Sequence, residues 1–501
     1  MDLALEETTI DSLQQALREQ RVTALQLARA YAERIESIDR AGPRLRSVIE
    51  LNPEAEAIAE QLDREARGGR WRGPLHGVPL VVKDNIATAD AMQTTAGSLA
   101  LVGARAPRDA FVVQRLRAAG AVLLGKANLS EWANIRGQHS SGGWSARGGQ
   151  TLNPYALDRS PSGSSSGTAV AVAANLCAGG IGTETDGSIT SPASANALVG
   201  MKPTVGLVSR DGIVPISFTQ DTAGPMCRTV HDAALVLAAI AGPDARDPVT
   251  ARQAGRFEPA QLSRLDAHSL RGVRLGLASN LAGQQRGVLA AFDAAKAALQ
   301  ALGAELVDAP IPNVDKYAQT ELDVLLFELK AGMARYLREF APNLPYRNLA
   351  DLIAFNEAHA FDELTLFGQE HFVLAQAKKS LTSAEYRKAL ASGLRYARTY
   401  GIDAVLRRQR LHALIAPTGG PAWLIDPVNG DAGGASATSP PAVAGYPHVT
   451  VPMGQVAGLP VGLSFIGPAW SDARLLSYAY AFEQATRHRQ PPTYRARSAP
   501  G

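Results

Sequence analysis

The amino-acid sequence predicts an α/β fold, in which helices and strands alternate around a large buried core. A helical pattern over residues 109–119 is followed at once by a short apolar run at 121–126, and residues 273–309 alternate strand, helix and strand in the same way. Hydrophobic residues make up 46% and charged residues 19% of the 501 residues, which is typical of a globular protein with an ample core. A chain of this length could form two or three average domains, although large α/β enzymes often form one.

The N-terminal elements carry no evident chemistry. Apolar residues recur near helical spacing over residues 11–40, with a break near Thr23, which we expect to cap the second of two helices. Residues 46–51 predict a strand, and residues 53–67 predict a helix with a proline in its first turn. We interpret these elements as structural, packing around a site that is formed by residues further along the chain.

Beyond residue 230 the sequence is mostly helical and returns to strands near its end. The predicted helices are 230–241, 288–301, 315–340, 349–368 and 383–410, and the predicted strands are 273–278, 305–309, 411–417, 446–454 and 459–467. The last two strands are expected to pair. Since residues 243–410 lack glycine clusters typical of a site, we expect a helix-rich insertion there, lying over a catalytic core at 73–230 within a single domain of residues 1–501.

Charge and cysteine content exclude several classes of protein. The net charge of +3 is too small to indicate nucleic acid or an anionic membrane as a partner. Cys177 and Cys227 form no CxxC pair and lie in apolar surroundings, so we expect buried free thiols. No run of roughly 18 apolar residues predicts a membrane-spanning helix. The N-terminal sequence lacks the basic and apolar regions of a signal peptide, so we expect a cytoplasmic protein, or a periplasmic one if a signal was removed.

The segment 159–203 contains the strongest candidate for a catalytic site. Three consecutive serines, residues 164–166, lie between Gly163 and Gly167, and Ser188 follows a glycine in the motif GTETDGSIT. Serine- and glycine-rich runs are usually flexible linkers. Here, however, residues 168–178 are small and apolar, as in a buried helix, and residues 179–187 contain no lysine or arginine. A loop of this kind between buried elements can present a serine hydroxyl and backbone N–H groups to one carbonyl, as acyl transfer requires.

Lys83 is a second candidate, at the end of the motif GPLHGVPLVVKDNI. An apolar strand that ends in charged residues places those charges at the edge of a sheet, a usual position for sites in α/β folds. Most lysines after a strand are simply exposed to solvent. The apolar character of this strand instead favours partial burial.

Other catalytic and binding motifs fit the sequence poorly. The nine histidines are scattered, without HxH or HExxH, so neither a metal site nor a metalloprotease is indicated. GSSSG matches the nucleophile elbow GxSxG, centred on Ser165, but no strand precedes it. No phosphate-binding or dinucleotide-binding loop is complete. The remaining option for a base is a lysine, which must be buried enough to be neutral.

These motifs together resemble the amidase signature family. GSSSG followed by GTETDGSI, then GMKPTVGLVSRDGIVP and QDTAGPM, is similar to that family's core in order and spacing, and GPLHGVPLVVKDNI and GAVLLGKANLSEWAN resemble its upstream motifs. The resemblance runs from about residue 23 to residue 491 and is strongest to the family's peptide amidases. It implies a single large mixed β-sheet covered on both faces by helices, to which the strands of residues 411–467 return.

The resemblance also implies a catalytic triad of Ser188, Ser164 and Lys83. Ser188 would attack the amide carbonyl, Ser164 would relay the proton, and Lys83 would be the base, with a cis peptide bond before Ser164. The oxyanion hole would consist of four consecutive backbone N–H groups, those of Thr185, Asp186, Gly187 and Ser188. Gly163 and Ser165 would support the triad, and no cofactor or metal is expected.

Residues 128–137 predict a short helix that opens into a glycine- and serine-rich loop. Trp132, Asn134 and Trp144 are candidate substrate-binding residues in this region, because aromatic side chains beside a site often line its pocket. A position in the core is nevertheless the more common one for a tryptophan.

We therefore expect a serine hydrolase that converts C-terminal peptide amides to the free acid and ammonia through an acyl-enzyme on Ser188. The family more often has Asp, Gly and Arg at the positions of Glu184, Asp186 and Thr190, and the first two of these match its peptide amidases. Asp186 thus places a carboxylate beside the oxyanion hole.

Three alternatives remain at this point. The first is the amidase subunit of a tRNA-dependent amidotransferase, the second a broad amidase of small amides, and the third a binding protein without activity. The presence of Lys83, Ser164 and Ser188 together argues against the third. We expect a monomer that acts on a peptide or small-molecule amide.

Overall fold

The computed structural model describes residues 4–498. Within them the strands are β1 (Val48–Leu51), β2 (Pro79–Lys83), β3 (Val122–Ala127), β4 (Trp144–Ser145), β5 (Gly149–Gln150), β6 (Gly179–Glu184), β7 (Val199–Lys202), β8 (Thr222–Cys227), β9 (Arg274–Leu277), β10 (Glu305–Asp308), β11 (Ala413–Pro417), β12 (His448–Val456) and β13 (Leu459–Ile466).

The α-helices of the same residues are α1 (Ile10–Arg18), α2 (Ala24–Arg34), α3 (Ala55–Arg67), α4 (Phe111–Ala118), α5 (Ser166–Ala173), α6 (Thr190–Ala195), α7 (Val230–Ile240), α8 (Arg286–Ala301), α9 (Ala318–Phe340), α10 (Leu349–Ala358), α11 (Ala360–Glu363), α12 (Glu370–Ala377), α13 (Ala384–Leu394), α14 (Asp403–Gln409), α15 (Ser439–Ala444) and α16 (Asp472–Thr486). None of the helices in the described part of the chain is long and apolar enough to cross a membrane.

One mixed sheet of eleven strands organises the molecule, in the order β1-β3-β2-β6-β8-β7-β12-β13-β11-β9-β10. β2 is parallel to both β3 and β6, whereas β6, β8, β7, β12, β13 and β11 pair antiparallel in succession. β9 and β10 continue the far edge in parallel. α5 and α6 contact each other and the sheet, α16 contacts α7, α8 and the sheet, and α2 contacts β2 and β3. The predicted single mixed sheet with helices on both faces is confirmed.

The central strands form because their residues suit a sheet that is buried on both faces. All residues of β2 (PLVVK) and β3 (VLLGKA) are buried, including the lysine that each contains. α5 (SGTAVAVA) lies against these strands, and each of its small side chains is buried. The middle of the sheet is therefore a place where a charged side chain has little access to water.

Several sequence-based boundaries differ from the structure. Thr23 caps α2 as expected, in a reciprocal capping box with Gln26. The predicted helix over 349–368 is instead two helices, α10 and α11, separated at His359, followed by non-helical chain. The helix predicted over 383–410 is interrupted at Gly401, whose ψ of −112° is not helical.

The segment 243–410 contributes more to the fold than a layer of helices. It contains α8 to α14, and it also supplies β9 and β10, which form one edge of the main sheet. β11, β12 and β13 lie between this edge and the strands of residues 73–230. Strands of one sheet thus come from all three of the segments distinguished in the sequence, residues 73–230, 243–410 and 411–467.

Candidate active site

Lys83 is the last residue of β2 and is inaccessible to solvent. Its Nζ lies 2.7 Å from Ser164 Oγ, 2.9 Å from Thr183 Oγ1 and 3.3 Å from the Thr183 carbonyl oxygen. The parallel register of β2 and β6 pairs Val82 with Ile181, which brings the end of β2 level with Thr183. The amine is therefore held by two neighbouring elements, with one hydroxyl on each.

Burial changes the chemistry of this amine. Loss of hydration lowers the pKa of Lys83 to about 7, although the negative charges of Asp221 and Glu184 oppose the shift. A substantial fraction of the side chain is consequently neutral near pH 7 and able to accept a proton. Asp221 is itself buried, and burial raises its pKa to about 6. It accepts hydrogen bonds from Thr185 Oγ1 at 2.6 Å and from the N–H groups of Ile216 and Ser217, each at 2.8 Å.

Ser164 lies two residues before the start of α5, and the peptide bond that joins it to Gly163 is cis. A side chain at Gly163 would not fit, because its Cβ would lie 2.1 Å from Ser130 Oγ. The N–H of Ser130 donates to the Ser164 carbonyl oxygen at 3.1 Å. The loop after β3 thus packs directly against the segment that carries Ser164, and Ser164 is inaccessible to solvent.

Ser165 connects Ser164 to the rest of the site. Its N–H donates to the Ser188 carbonyl oxygen at 3.1 Å, and its Oγ donates to the Thr183 carbonyl oxygen and accepts from the Thr183 N–H, both at 3.1 Å. Ser166 instead donates to the carbonyl oxygen of Ser162 at 2.6 Å within the same loop. Of the three consecutive serines, two therefore face β6 and the lysine, and the third stabilises the entry into α5.

Residues 185–188 form a turn between β6 and α6, which we call the oxyanion turn. Gly187 has φ of +77°, a conformation that favours glycine, and a Cβ there would lie 2.9 Å from Ser191 Oγ. Glu184, directly before the turn, accepts hydrogen bonds from the N–H groups of Ile189 and Thr190, directly after it, at 2.8 and 2.9 Å. These hydrogen bonds fix the start of α6. None of the four N–H groups of the turn donates a hydrogen bond to another described residue, so all four are free to bind an oxygen.

Ser188 is the last residue of this turn and is 8% exposed, in contrast to Ser164 and Lys83. Among residues 4–498, the Ser188 hydroxyl has no hydrogen-bond partner, and no hydrogen bond joins it to Ser164 Oγ. The structure nevertheless brings the two serines together through Ser165, whose backbone contacts Ser188. The three predicted triad residues, the oxyanion turn, Gly163 and Ser165 thus share one locality.

The three candidate substrate-binding residues lie in different environments. Trp132 is 2% exposed, and its ring packs edge-to-face against Phe372 with centroids 5.5 Å apart. Trp144 is half-buried and packs against Phe367, whereas Asn134 is exposed and has φ of +74°. The short helix predicted here does not form: Glu131–Asn134 is a single tight turn in which Trp132 and Ala133 have left-handed backbone dihedrals. Trp132 occupies the core position that is common for a tryptophan, and Asn134 is the one of the three that faces solvent.

Sequence reasoning missed Thr183 and Asp221 as parts of the site. Thr183 contacts Lys83 and also accepts from Asn85 Nδ2 at 3.0 Å through its hydroxyl. Asp221 lies in the quoted motif QDTAGPM, and its carboxylate holds Thr185. The parallel pairing of β2 with β6 was the signal needed to find Thr183, because it alone sets which β6 residue faces the lysine.

Comparison with known proteins assigns this chain and its fold to one family. A family model described as Amidase matches residues 26–476, and the chain belongs to the amidase family. A crystal structure of a peptide amidase in complex with the competitive inhibitor chymostatin is similar, with a TM-score of 0.94 and 54% identity over 97% of this chain and 99% of that one.

Two curated relatives carry different names, one an amidase and the other an amidotransferase subunit. A probable amidase of Arabidopsis thaliana is 41% identical over 98% of this chain and 92% of its own length. A subunit of the glutamyl-tRNA(Gln) amidotransferase of Symbiobacterium thermophilum is 39% identical over 86% of this chain and 88% of its own length. The protein is accordingly an amidase, a hydrolase of carbon–nitrogen amide bonds.

Proposed function

We propose that this amidase hydrolyses C-terminal peptide amides to the free acid and ammonia, through an acyl-enzyme on Ser188. The observation that carries the catalytic part is the buried Lys83 amine, 2.7 Å from Ser164 Oγ and close to the oxyanion turn. A serine hydroxyl is a weak nucleophile until a base accepts its proton, and a lysine of lowered pKa is such a base.

In the first step the Ser188 oxygen forms a bond to the amide carbonyl carbon. The Ser188 proton passes to Ser164, whose own proton passes to Lys83. The carbonyl oxygen becomes an oxyanion and accepts hydrogen bonds from the free N–H groups of residues 185–188. One such donor typically contributes about 2.7–4 kcal/mol in the transition state.

In the second step the bond between carbon and nitrogen breaks. The proton returns from Lys83 through Ser164 to the nitrogen, which leaves as ammonia. A water molecule then attacks the ester carbonyl and gives its proton to the same relay, which releases the free acid and restores the Ser188 hydroxyl. No redox change occurs, and the relay ends in the state in which it began.

The choice of a peptide as substrate is supported by the similarity to a peptide amidase that binds the competitive inhibitor chymostatin. Glu184 and Asp186, which match the family's peptide amidases, support the same choice. The test is ammonia release from a panel of peptide amides and of small free amides, with the Ser188→Ala variant as the control for background hydrolysis. Peptide amides should be the better substrates, and a preference for small amides would favour a broad amidase instead.

The similarity to an amidotransferase subunit supports one second candidate, a chain that works only within a complex. The two functions differ in what the purified chain does alone. A peptide amidase should release ammonia from peptide amides without any partner protein, whereas inactivity of the lone folded chain would favour the amidotransferase subunit.

A further inference from the structure

Two carboxyl groups from distant parts of the chain meet beside the oxyanion turn. Asp186 is the second residue of that turn, and Glu321 lies in the first turn of α9. Gln220 connects the same two elements, because its Nε2 donates to Glu321 Oε1 at 2.8 Å and to the Thr185 carbonyl oxygen at 3.3 Å. Gln220 therefore links the first turn of α9 to Thr185, the residue before Asp186.

The hydrogen bonds of Asp186 leave a place for one more donor. Its Oδ2 accepts from Ser439 Oγ at 2.6 Å, at the start of α15. Its Oδ1 is buried and has no hydrogen-bond partner among the described residues. A buried acceptor without a donor is costly, so a donor is expected at this position.

Glu321 can supply that donor only in its protonated form. Two adjacent carboxylates cannot both be ionised at low cost, and one proton shared between them resolves the repulsion. Burial and the neighbouring Asp186 carboxylate raise the pKa of Glu321 well above its usual range. The Gln220 side chain, which binds both Glu321 Oε1 and the carbonyl oxygen of Thr185, places Glu321 next to the residue before Asp186. A neutral Glu321 satisfies Asp186 Oδ1, while its other oxygen still accepts from Gln220.

We propose that Glu321 is a positioning residue, which as a neutral carboxylic acid donates a hydrogen bond to Asp186 and so holds the oxyanion turn in its working geometry. The proposal rests on the proposed role of that turn. Gly187 adopts a backbone conformation that other residues rarely take, and the four N–H groups are useful only if they point at one oxygen. A displacement of about 1 Å at a site can cost about 100-fold in rate.

Two substitutions of Glu321 separate this role from simple packing. Glu321→Gln keeps an N–H donor for Asp186 and an acceptor for Gln220, whereas Glu321→Leu has a similar volume and neither group. We expect kcat of the Gln variant to stay within about threefold of the wild type and kcat of the Leu variant to fall about 10- to 100-fold, with KM little changed in both. Glu339→Gln is the matched control, since it makes the same change at the other end of α9, where the carboxylate pairs with Arg335 at 3.0 Å.

The pH dependence gives a readout that a packing role would not produce. When Glu321 loses its proton at high pH, two negative charges face each other, so kcat of the wild type should fall on the alkaline side. A Gln side chain does not titrate, so its profile should lack that fall. The other titratable groups that act on the pair are present in both proteins: Tyr317 on α9, Glu184 on β6 and Lys202 on β7.

The experiment is a comparison of kcat, KM and the kcat–pH profile for wild type and the three variants, on the amide that the wild type hydrolyses fastest. If the wild type prefers a small amide, the peptide proposal is overturned. The role of Glu321 can still be tested on that amide. A Gln variant as slow as the Leu variant, or alkaline limbs that coincide in the wild type and the Gln variant, would overturn the positioning role. If the Leu variant fails to fold, the Gln variant and the two pH profiles decide the outcome.

Discussion

The Nζ atom of Lys83 and the Oγ atom of Ser164 lie 2.7 Å apart, and neither side chain has access to solvent. A charged ammonium in such a place would be poorly stabilised, because the carboxylates whose charge acts on it, those of Asp221 and Glu184, make no hydrogen bond to it within the described chain. The arrangement instead suits a neutral amine that exchanges a proton with a hydroxyl.

Ser188→Ala should abolish turnover, because the hydroxyl removed is the proposed nucleophile. A serine-directed covalent inhibitor should label Ser188, and mass spectrometry of the digested protein locates the label. Ser188 is the more exposed of the two candidate serines, at 8% against 0% for Ser164. Labelling at Ser164, or at no serine, would contradict the assignment.

Thr183→Val should lower kcat about tenfold, because it removes the hydroxyl that accepts from Lys83 and Asn85 while keeping the shape of the side chain. Thr183→Ser is the matched control, since it keeps the hydroxyl and should retain most of the activity. Steady-state kinetics on a peptide amide measure both. Equal rates for the Val variant and the wild type would show that Thr183 does not orient the lysine.

Thr183 also illustrates what the sequence could and could not predict. The alternation of helices and strands predicted the α/β fold class, and the resemblance of the motifs around Lys83 and Ser188 to the amidase signature family implied the candidate triad. The partner of the lysine depends on how β2 and β6 align, which is set by packing across the whole sheet. Glu321 could not be predicted as part of the site for the same reason. α9 is far from the serine motifs along the chain and lies near them only in the folded protein.

For Trp132, the sequence could not decide between a position in the substrate pocket and a position in the core. Its nearness in sequence to the serine-rich segment makes it a reasonable pocket candidate, but a left-handed backbone at Trp132 and Ala133 directs the chain so that the ring packs against Phe372. Side-chain direction after such a turn cannot be inferred from residue spacing.

Lys83→Met should be more stable to heat than the wild type near pH 7, and nearly inactive. The pKa of Lys83 is about 7 in the folded protein, lowered by burial, and about 10.4 in an unfolded chain. Between these values the unfolded state binds more protons, so the stability of the wild type rises with pH, and the full penalty applies below pH 7. A Met side chain carries no such penalty.

The advantage of Lys83→Met in melting temperature should therefore be largest at or below pH 7 and shrink as the pH approaches 10. Lys126 and Lys202 are also buried, but they are present in both proteins and cancel in the difference. Thermal unfolding of both proteins across this range measures the effect. A difference in melting temperature that does not change with pH would contradict a depressed pKa at Lys83.

Treatment with EDTA should leave the activity intact. The histidines and cysteines are dispersed along the sequence, and the proposed steps use only hydroxyl, amine and backbone groups. Ammonia release before and after extended dialysis against the chelator measures this. A loss of activity that a divalent metal ion restores would contradict the proposed chemistry.

The claim that Lys83 acts as a neutral base is tested most directly by the pH dependence of kcat/KM for ammonia release from a peptide amide. This quantity reports the ionisation of the free enzyme. If Lys83 must lose its proton to work, kcat/KM should rise as the pH increases through neutrality, with a midpoint near the lowered pKa of about 7. A value of kcat/KM that stays constant or falls as the pH rises through neutrality, while the protein remains folded, would contradict the role of Lys83 as the base.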